Sequence, residues 1–211
     1  MENLKKQGCV LVGGIHGDDY LGLGVLTHYF RHSQILFQLV LGNHEAMNIK
    51  KPWVDIDLLT SGVGEAGHMV KEKARAAEIH EVLIQHDYAV SIHGSYINDN
   101  LIVITNTDPK TLNMVSALGY AKAIVVPKAN YLLDTVPYNA YIINKVAVKH
   151  EAGPDEVANI VLKFEKSKDF FSGEWTPTKT PDLYTIDDPK DRTIQFLLKN
   201  SIEGRLVEYK G

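Results

Sequence analysis

Nine histidines are spread along this 211-residue chain, but only a few stand where an apolar run breaks off into polar residues. The first such place is GGIHGDDYLG, residues 13–22. His16 and Asp19 are three apart at the point where a strand would give way to a helix. Side chains three or four apart share a helical face, so an imidazole and a carboxylate could converge there on one divalent cation. The competing reading is that Asp18 or Asp19 caps the helix, as acidic residues do. Gly13, Gly14 and Gly17 would let the backbone come close to something.

The second place is VSIHGSY, residues 90–96, where His93 ends an apolar run before a Gly-Ser turn. Alone it reads as a hydrogen-bonded structural histidine; as a third partner of His16 and Asp19 it would complete a metal site. The third is HEAGPDE, residues 150–156. Glu151 follows an apolar run and precedes a Gly-Pro turn, which would suit a general base beside a metal, or else a solvated turn residue. His150 would point to the opposite face if the strand persists, so Glu151 is the candidate. The fourth is GNHEAMNIKKPWVDIDLLTSG, residues 42–62, where Asp55 and Asp57 alternate with apolar residues. A period of two sends both carboxylates to one face, as an acid/base pair or as loop groups that meet water or support a ligand.

The remaining histidines carry less. His28 and His32 have ligand spacing but fall well past the strand end, which favours the surface. His68, His80 and His86 read as solvated, and His44 stays open. Lys71-Glu72-Lys73 reads as a charged, solvent-facing stretch of helix.

The elements that would position these groups alternate along the chain. Strands are expected over 8–15, 35–42, 88–93, 101–105, 123–127 and 142–150, and helices over 19–31, 68–85, 109–118 and 155–166. In the long helix His68–Gln85 the apolar stripe is read as Val70, Ala74, Ala77, Val82 and Ile84. The pattern implies an α/β fold, a mostly parallel mixed sheet with helices on both faces, hence a three-layer sandwich. In such sheets the functional crevice lies beyond the carboxyl ends of the strands. From Ser167 the composition turns rich in Pro, Thr and Asp, so 1–166 is expected to be the main domain. The remainder, 167–211, would be an extension packed on it or a truncated second domain. Within it a helix is expected over 192–199 and a strand over 205–209.

An apolar fraction of 45% supports a sizeable core. A net charge of −4 and the lack of any Lys/Arg block argue against nucleic acid. The single cysteine, Cys9, excludes a disulfide framework and reads as a small buried hydrophobe. Neither a signal-peptide h-region nor an apolar run of membrane-spanning length occurs, so a cytoplasmic protein that makes no membrane contact is expected.

In their order, the four segments resemble the succinylglutamate desuccinylase/aspartoacylase family, a relative of the zinc carboxypeptidases. Gly14-Ile15-His16-Gly17-Asp18-Asp19 is similar to that family's G-x-H-G-N-E motif, with aspartate in place of glutamate. Asn43-His44-Glu45-Ala46 and Asp55-Ile56-Asp57-Leu58-Leu59-Thr60 resemble N-P-x-A and D-x-D-L-N-R. Ser91-Ile92-His93 resembles D-L-H, and Glu151-Ala152-Gly153 resembles E-x-G. The likeness runs from about Gly8 to Lys166. It implies a zinc-carboxypeptidase-like fold, one Zn²⁺ held by His16, Asp19 and His93, and Glu151 as catalytic base. Asn43, Asp57 and, in place of missing arginines, Lys50 or Lys51 would meet the substrate. The expected activity is zinc-dependent hydrolysis of an amide bond in a small N-acyl amino acid or peptide.

Two departures accompany this. Leu59 and Thr60 stand where the family has its Asn-Arg pair, and Pro52 where another arginine would be. The chain's arginines are Arg31, Arg75, Arg192 and Arg205. A second reading is therefore a relative that binds metal or ligand without catalysis.

Overall fold

The computed structural model describes residues 8–32, 37–95, 100–126, 130–146, 152–173 and 179–185. The stretches expected as a helix at 192–199 and a strand at 205–209 lie outside the described residues, as do His150 and Glu151.

The apolar runs form strands because they can be buried on both faces. Strand β1, Cys9–Gly13, is buried at every position. It lies between β2, Phe37–Leu41, and β3, Tyr88–Ser95, parallel to both. Next to β3 runs β6, Tyr138–Lys145, also parallel. The sheet continues through β4, Leu101–Ile104, antiparallel to β6, then β5, Lys122–Val125, and β7, Asp182–Thr185. The seven-stranded order is β2-β1-β3-β6-β4-β5-β7. Thus β2, β1, β3 and β6 all send their carboxyl ends to one crest, and the other three strands point the opposite way.

Alternate residues feed two cores. Cys9, Leu11, Val90, Ile92, Ala140 and Ile142 face α1, Tyr20–Arg31, α4, Pro109–Ala117, and α5, Pro154–Lys166. Val10, Val12, Ala89, Tyr141 and Ile143 face α3, Lys71–Leu83, and two short 3-10 turns at Leu58–Ser61 and Leu132–Thr135. The result is the expected three-layer α/β sandwich, with a mixed, mostly parallel sheet. Each fully buried Val, Leu or Ile contributes roughly 1.5–3 kcal/mol. Cys9 lies at 0% exposure within the first core.

Several expectations need correcting. Strand β6 begins at Tyr138 rather than Ile142. Asn139 made its start look polar, but that amide is buried, accepting from Thr105 Oγ1 at 3.1 Å and donating to the Val136 carbonyl at 3.2 Å. The buried face of α3 is Glu72, Ala76, Ile79 and Leu83, while Ile84 is 50% exposed. That spacing of 4, 3 and 4 is helical, but it starts on a glutamate, which hid it. His86 is buried rather than solvated, its Nδ1 lying 2.9 Å from the Val82 carbonyl. Two short helices, α2 at His44–Asn48 and α6 at Lys168–Ser172, and the edge strand β7 fall in stretches for which no helix or strand was assigned from the sequence. No helix among the described residues is long and apolar enough to cross a membrane.

Candidate metal centre

His16 lies three residues beyond β1, and the turn carrying it is clamped to the end of β2. The Gly42 and Asn43 amides donate to the Gly13 and Gly14 carbonyls at 2.8 and 2.7 Å. Gly17 packs on α2 so closely that an added Cβ would sit 2.2 Å from the Ala46 carbonyl carbon and 2.3 Å from the Met47 nitrogen. Its amide donates to the Pro52 carbonyl at 3.1 Å. The close approach expected at this glycine is therefore to the protein's own backbone.

Asp19 plays both roles between which its sequence position left a choice. Its Oδ1 caps α1 by accepting from the Leu21 amide at 3.3 Å, and also accepts from the Gly94 amide of β3 at 2.9 Å. Its Oδ2 stands 3.4 Å from His93 Nδ1, within ion-pair distance but without the alignment of a hydrogen bond. One oxygen holds the helix to the sheet, and the other faces the imidazole.

Both histidines are fully buried, their ring centroids 5.7 Å apart. Each is tethered at its outer nitrogen. His16 Nε2 lies 3.1 Å from Asp57 Oδ1, and His93 Nε2 lies 2.9 Å from Ser91 Oγ. Each has an Nδ1 that is buried with no hydrogen-bond partner. Burial pushes the Asp57 carboxyl up, but hydrogen bonds from His16 and the Leu59 amide outweigh this and hold it below the usual carboxylate range. An ionised Asp57 only accepts, so His16 Nε2 carries the proton, and in the neutral ring Nδ1 keeps its lone pair. Burial lowers the His16 pKa, yet the bond to Asp57 and the charges of Asp57, Asp19 and Asp18 raise it overall.

This donor set suits a metal in two respects. An outer nitrogen bound to a carboxylate or hydroxyl with the inner one free is how metal-ligating histidines are usually oriented. Two donors each roughly 2.1 Å from one tetrahedral zinc would stand about 3.4 Å apart, and the Asp19–His93 separation is 3.4 Å. Among the described residues, however, no group of three or more His, Cys, Asp or Glu side chains is arranged to hold a metal ion. The structure thus brings His16, Asp19 and His93 together without closing them into a complete coordination shell.

The other expected site residues fare differently. Asn43 is 2% exposed, and its side chain is fully engaged inside the protein. Oδ1 caps α2 by accepting from the Ala46 amide at 3.1 Å, and Nδ2 donates to Glu72 Oε1 at 2.9 Å. It is a framework residue, which corrects its expected substrate contact. Asp57 is bound to His16 and to the Leu59 amide at 2.9 Å, so it orients a histidine. Asp55, its supposed twin, accepts from the Lys71 amide at 3.0 Å at the start of α3. Lys50 and Lys51 are exposed, and among the described residues no hydrogen bond or ion pair joins either ammonium group to the site. His44 is exposed as well.

Glu72 and Ser91 are buried beside these residues and hydrogen-bonded to their surroundings, which the sequence pattern did not show. Far from a solvated charge, Glu72 is fully buried and gathers the loop before Asp57. Its carboxylate accepts from Asn43 Nδ2 and from the amides of Val54, Asp55 and Ile56 at 2.6, 3.1 and 3.2 Å. Burial pushes its pKa up, but these four bonds outweigh it and hold the carboxyl below the usual glutamate range. Beside this loop, the Trp53 ring lies 6.5 Å from His16. Arg75 binds the Leu41 and Gly42 carbonyls at the end of β2. The 72-76-79-83 spacing would have revealed Glu72, and the two-residue offset of Ser91 from His93 places both on one strand face.

The fold, once in hand, has clear counterparts. Murine aminoacylase 3 superposes with a TM-score of 0.65 at 14% identity, covering 79% of this chain and 66% of that one. The product-bound ectoine utilization protein EutE (DoeB) from Ruegeria pomeroyi gives 0.64 at 15%, covering 86% and 63%. A succinylglutamate desuccinylase/aspartoacylase from Rhodobacter sphaeroides gives 0.64 at 12%, covering 87% and 64%. The chain therefore has the fold of the succinylglutamate desuccinylase/aspartoacylase structures, and it spans just under two thirds of their length. No protein-family model matches the chain, and no curated protein matches it in sequence.

Proposed function

We propose that this chain is a zinc-dependent hydrolase of an amide bond in a small N-acyl amino acid or peptide. The observation that carries the reading is the pair of buried, partnerless Nδ1 atoms on His16 and His93, beside Asp19 Oδ2. A buried polar atom left unsatisfied costs about 1–3 kcal/mol, so two of them beside one carboxylate argue for a cation. His16, Asp19 and His93 would hold it. Zinc, if bound, would supply Lewis acidity, lowering the pKa of a coordinated water toward neutrality.

The chain's own residues would do the rest. Asp57 and Ser91 hold the two imidazoles in place through their outer nitrogens. Asp19 Oδ1, fixed by the Gly94 amide, keeps Oδ2 turned toward His93. Glu151 would take the proton from the attacking water and return it to the leaving amine. In the sequence it follows β6, Tyr138–Lys145, which runs parallel to β3 toward the same crest. Proton transfer of this kind is worth roughly 10²–10⁴ in rate.

The substrate would not be gripped by a guanidinium where the related family has its Asn-Arg pair. Leu59 is buried in the core, and Thr60 donates to the Asp57 carbonyl at 3.1 Å. This favours acyl groups without a second carboxylate, and it is also what supports the second reading, a relative that binds metal without turnover. The deciding experiment compares the wild type with Glu151→Gln, measuring bound zinc and hydrolysis of a panel of N-acyl amino acids and short peptides. Expected are one zinc per chain in both proteins and turnover in the wild type only. Turnover retained in the variant would remove Glu151 from the mechanism. Zinc without turnover by the wild type would leave the binding reading.

A further inference from the structure

Trp53 is a large apolar side chain held against the buried His16, yet it is itself only half-buried. The two ring centroids stand 6.5 Å apart with the planes at 66°, an edge-on contact. The backbone on either side of the indole is pinned. The Pro52 carbonyl accepts from the Gly17 amide at 3.1 Å, and the Val54 amide donates to Glu72 Oε1 at 2.6 Å. The indole is therefore fixed beside the histidine before any ligand arrives, with part of its surface open, and a wall ordered in advance costs little entropy on binding.

The charges around it are of one sign. Those of Asp57, Asp19 and Asp18 all bear on His16. Among the described residues, no Lys or Arg side chain is bonded to Asp19 or Asp57, and Asp57 keeps 28% of its side chain exposed. A second carboxylate on a ligand would meet like charge here, which is costly at close range, whereas an apolar chain would meet the indole. We infer that Trp53 is a specificity-determining residue, and that the amides this site takes carry an uncharged, apolar acyl chain that lies on the indole. The inference rests on the hydrolase reading above for its chemistry, but binding alone can be read separately.

Three primary amides that differ only in the acyl chain test it: hexanamide, acetamide and succinamate. Each methylene buried is worth roughly fourfold in affinity, so four half-covered ones predict about a tenfold preference for hexanamide over acetamide. In a Trp175→Phe background Trp53 is the remaining indole, and hexanamide should shift its emission to the blue. Succinamate should bind no better than acetamide. Calorimetry on the unmodified chain should give the same ranking; Trp53→Ala should level it, and Trp53→Phe should keep it. Emission unmoved by hexanamide would make Trp53 a mere cover for His16 and overturn the inference, as would succinamate binding tightest. Zinc uptake and turnover are scored apart. A chain that prefers hexanamide but hydrolyses no amide with zinc present loses the hydrolase reading and keeps this one. Hydrolysis of N-succinyl amino acids ahead of N-hexanoyl ones does the reverse.

Discussion

Replacing Glu72 by alanine tests whether a buried carboxylate, rather than the strands, holds the loop that orients His16. The side chain accepts four hydrogen bonds, from Asn43 Nδ2 and the amides of Val54, Asp55 and Ile56. Val54 and Asp55 are exposed, so their amides can turn to water, whereas Asn43 is buried and Ile56 half-buried. Two donors thus lose a partner without ready hydration, at about 1–3 kcal/mol each, which gives a loss of roughly 3 kcal/mol. Domains of this kind have about 5–15 kcal/mol to lose, so the variant should still fold.

Urea unfolding at neutral pH reads this loss directly, and Trp53 emission in a Trp175→Phe background reads the loop. The variant should be less stable by that amount, with its native emission shifted to the red. Acid gives an independent check. Because the folded pKa of Glu72 lies below its unfolded value, its contribution is complete above the ordinary glutamate pKa and is lost as pH falls through the folded one. Glu72→Ala should therefore lose less stability than the wild type on acidification through that range. A stability loss under about 1 kcal/mol, far below the hydrogen-bond estimate, together with unchanged Trp53 emission, would refute the reasoning.

Other perturbations separate roles that coincide in one residue. Asp19→Asn keeps an Oδ1 for the Leu21 and Gly94 amides but replaces Oδ2 by a donor. Thermal stability should change little while zinc affinity, measured by dye competition, falls at least tenfold; equal loss of both would mean that Asp19 is only a cap. Gly17→Ala places a methyl 2.2 Å from backbone atoms of α2. It should cost about 1–3 kcal/mol or more in urea unfolding, and a neutral result would mean that α2 shifts freely.

Much of this protein was legible in its sequence. Apolar runs such as Cys9–Val12 and Val90–Ile92 declared strands buried on both faces, and polar residues just beyond them declared a crest. His16, Asp19 and His93 could be picked out because each stands where such a run ends, and the resemblance in motif order agrees with the fold. What pattern could not supply was the partner of each polar group. Whether a carboxylate is solvated or buried depends on which donors the fold brings to it. Glu72 looked like an exposed charge until the 53–56 loop closed over it, and Asp57 looked like a substrate contact until it met His16 across 41 residues of chain. The strand expected from 142 begins at Tyr138, because Thr105, just past β4, satisfies the buried Asn139 amide. Periodicity is local and survives in one dimension. Hydrogen-bond satisfaction is set between residues distant in sequence, and only the tertiary structure decides it.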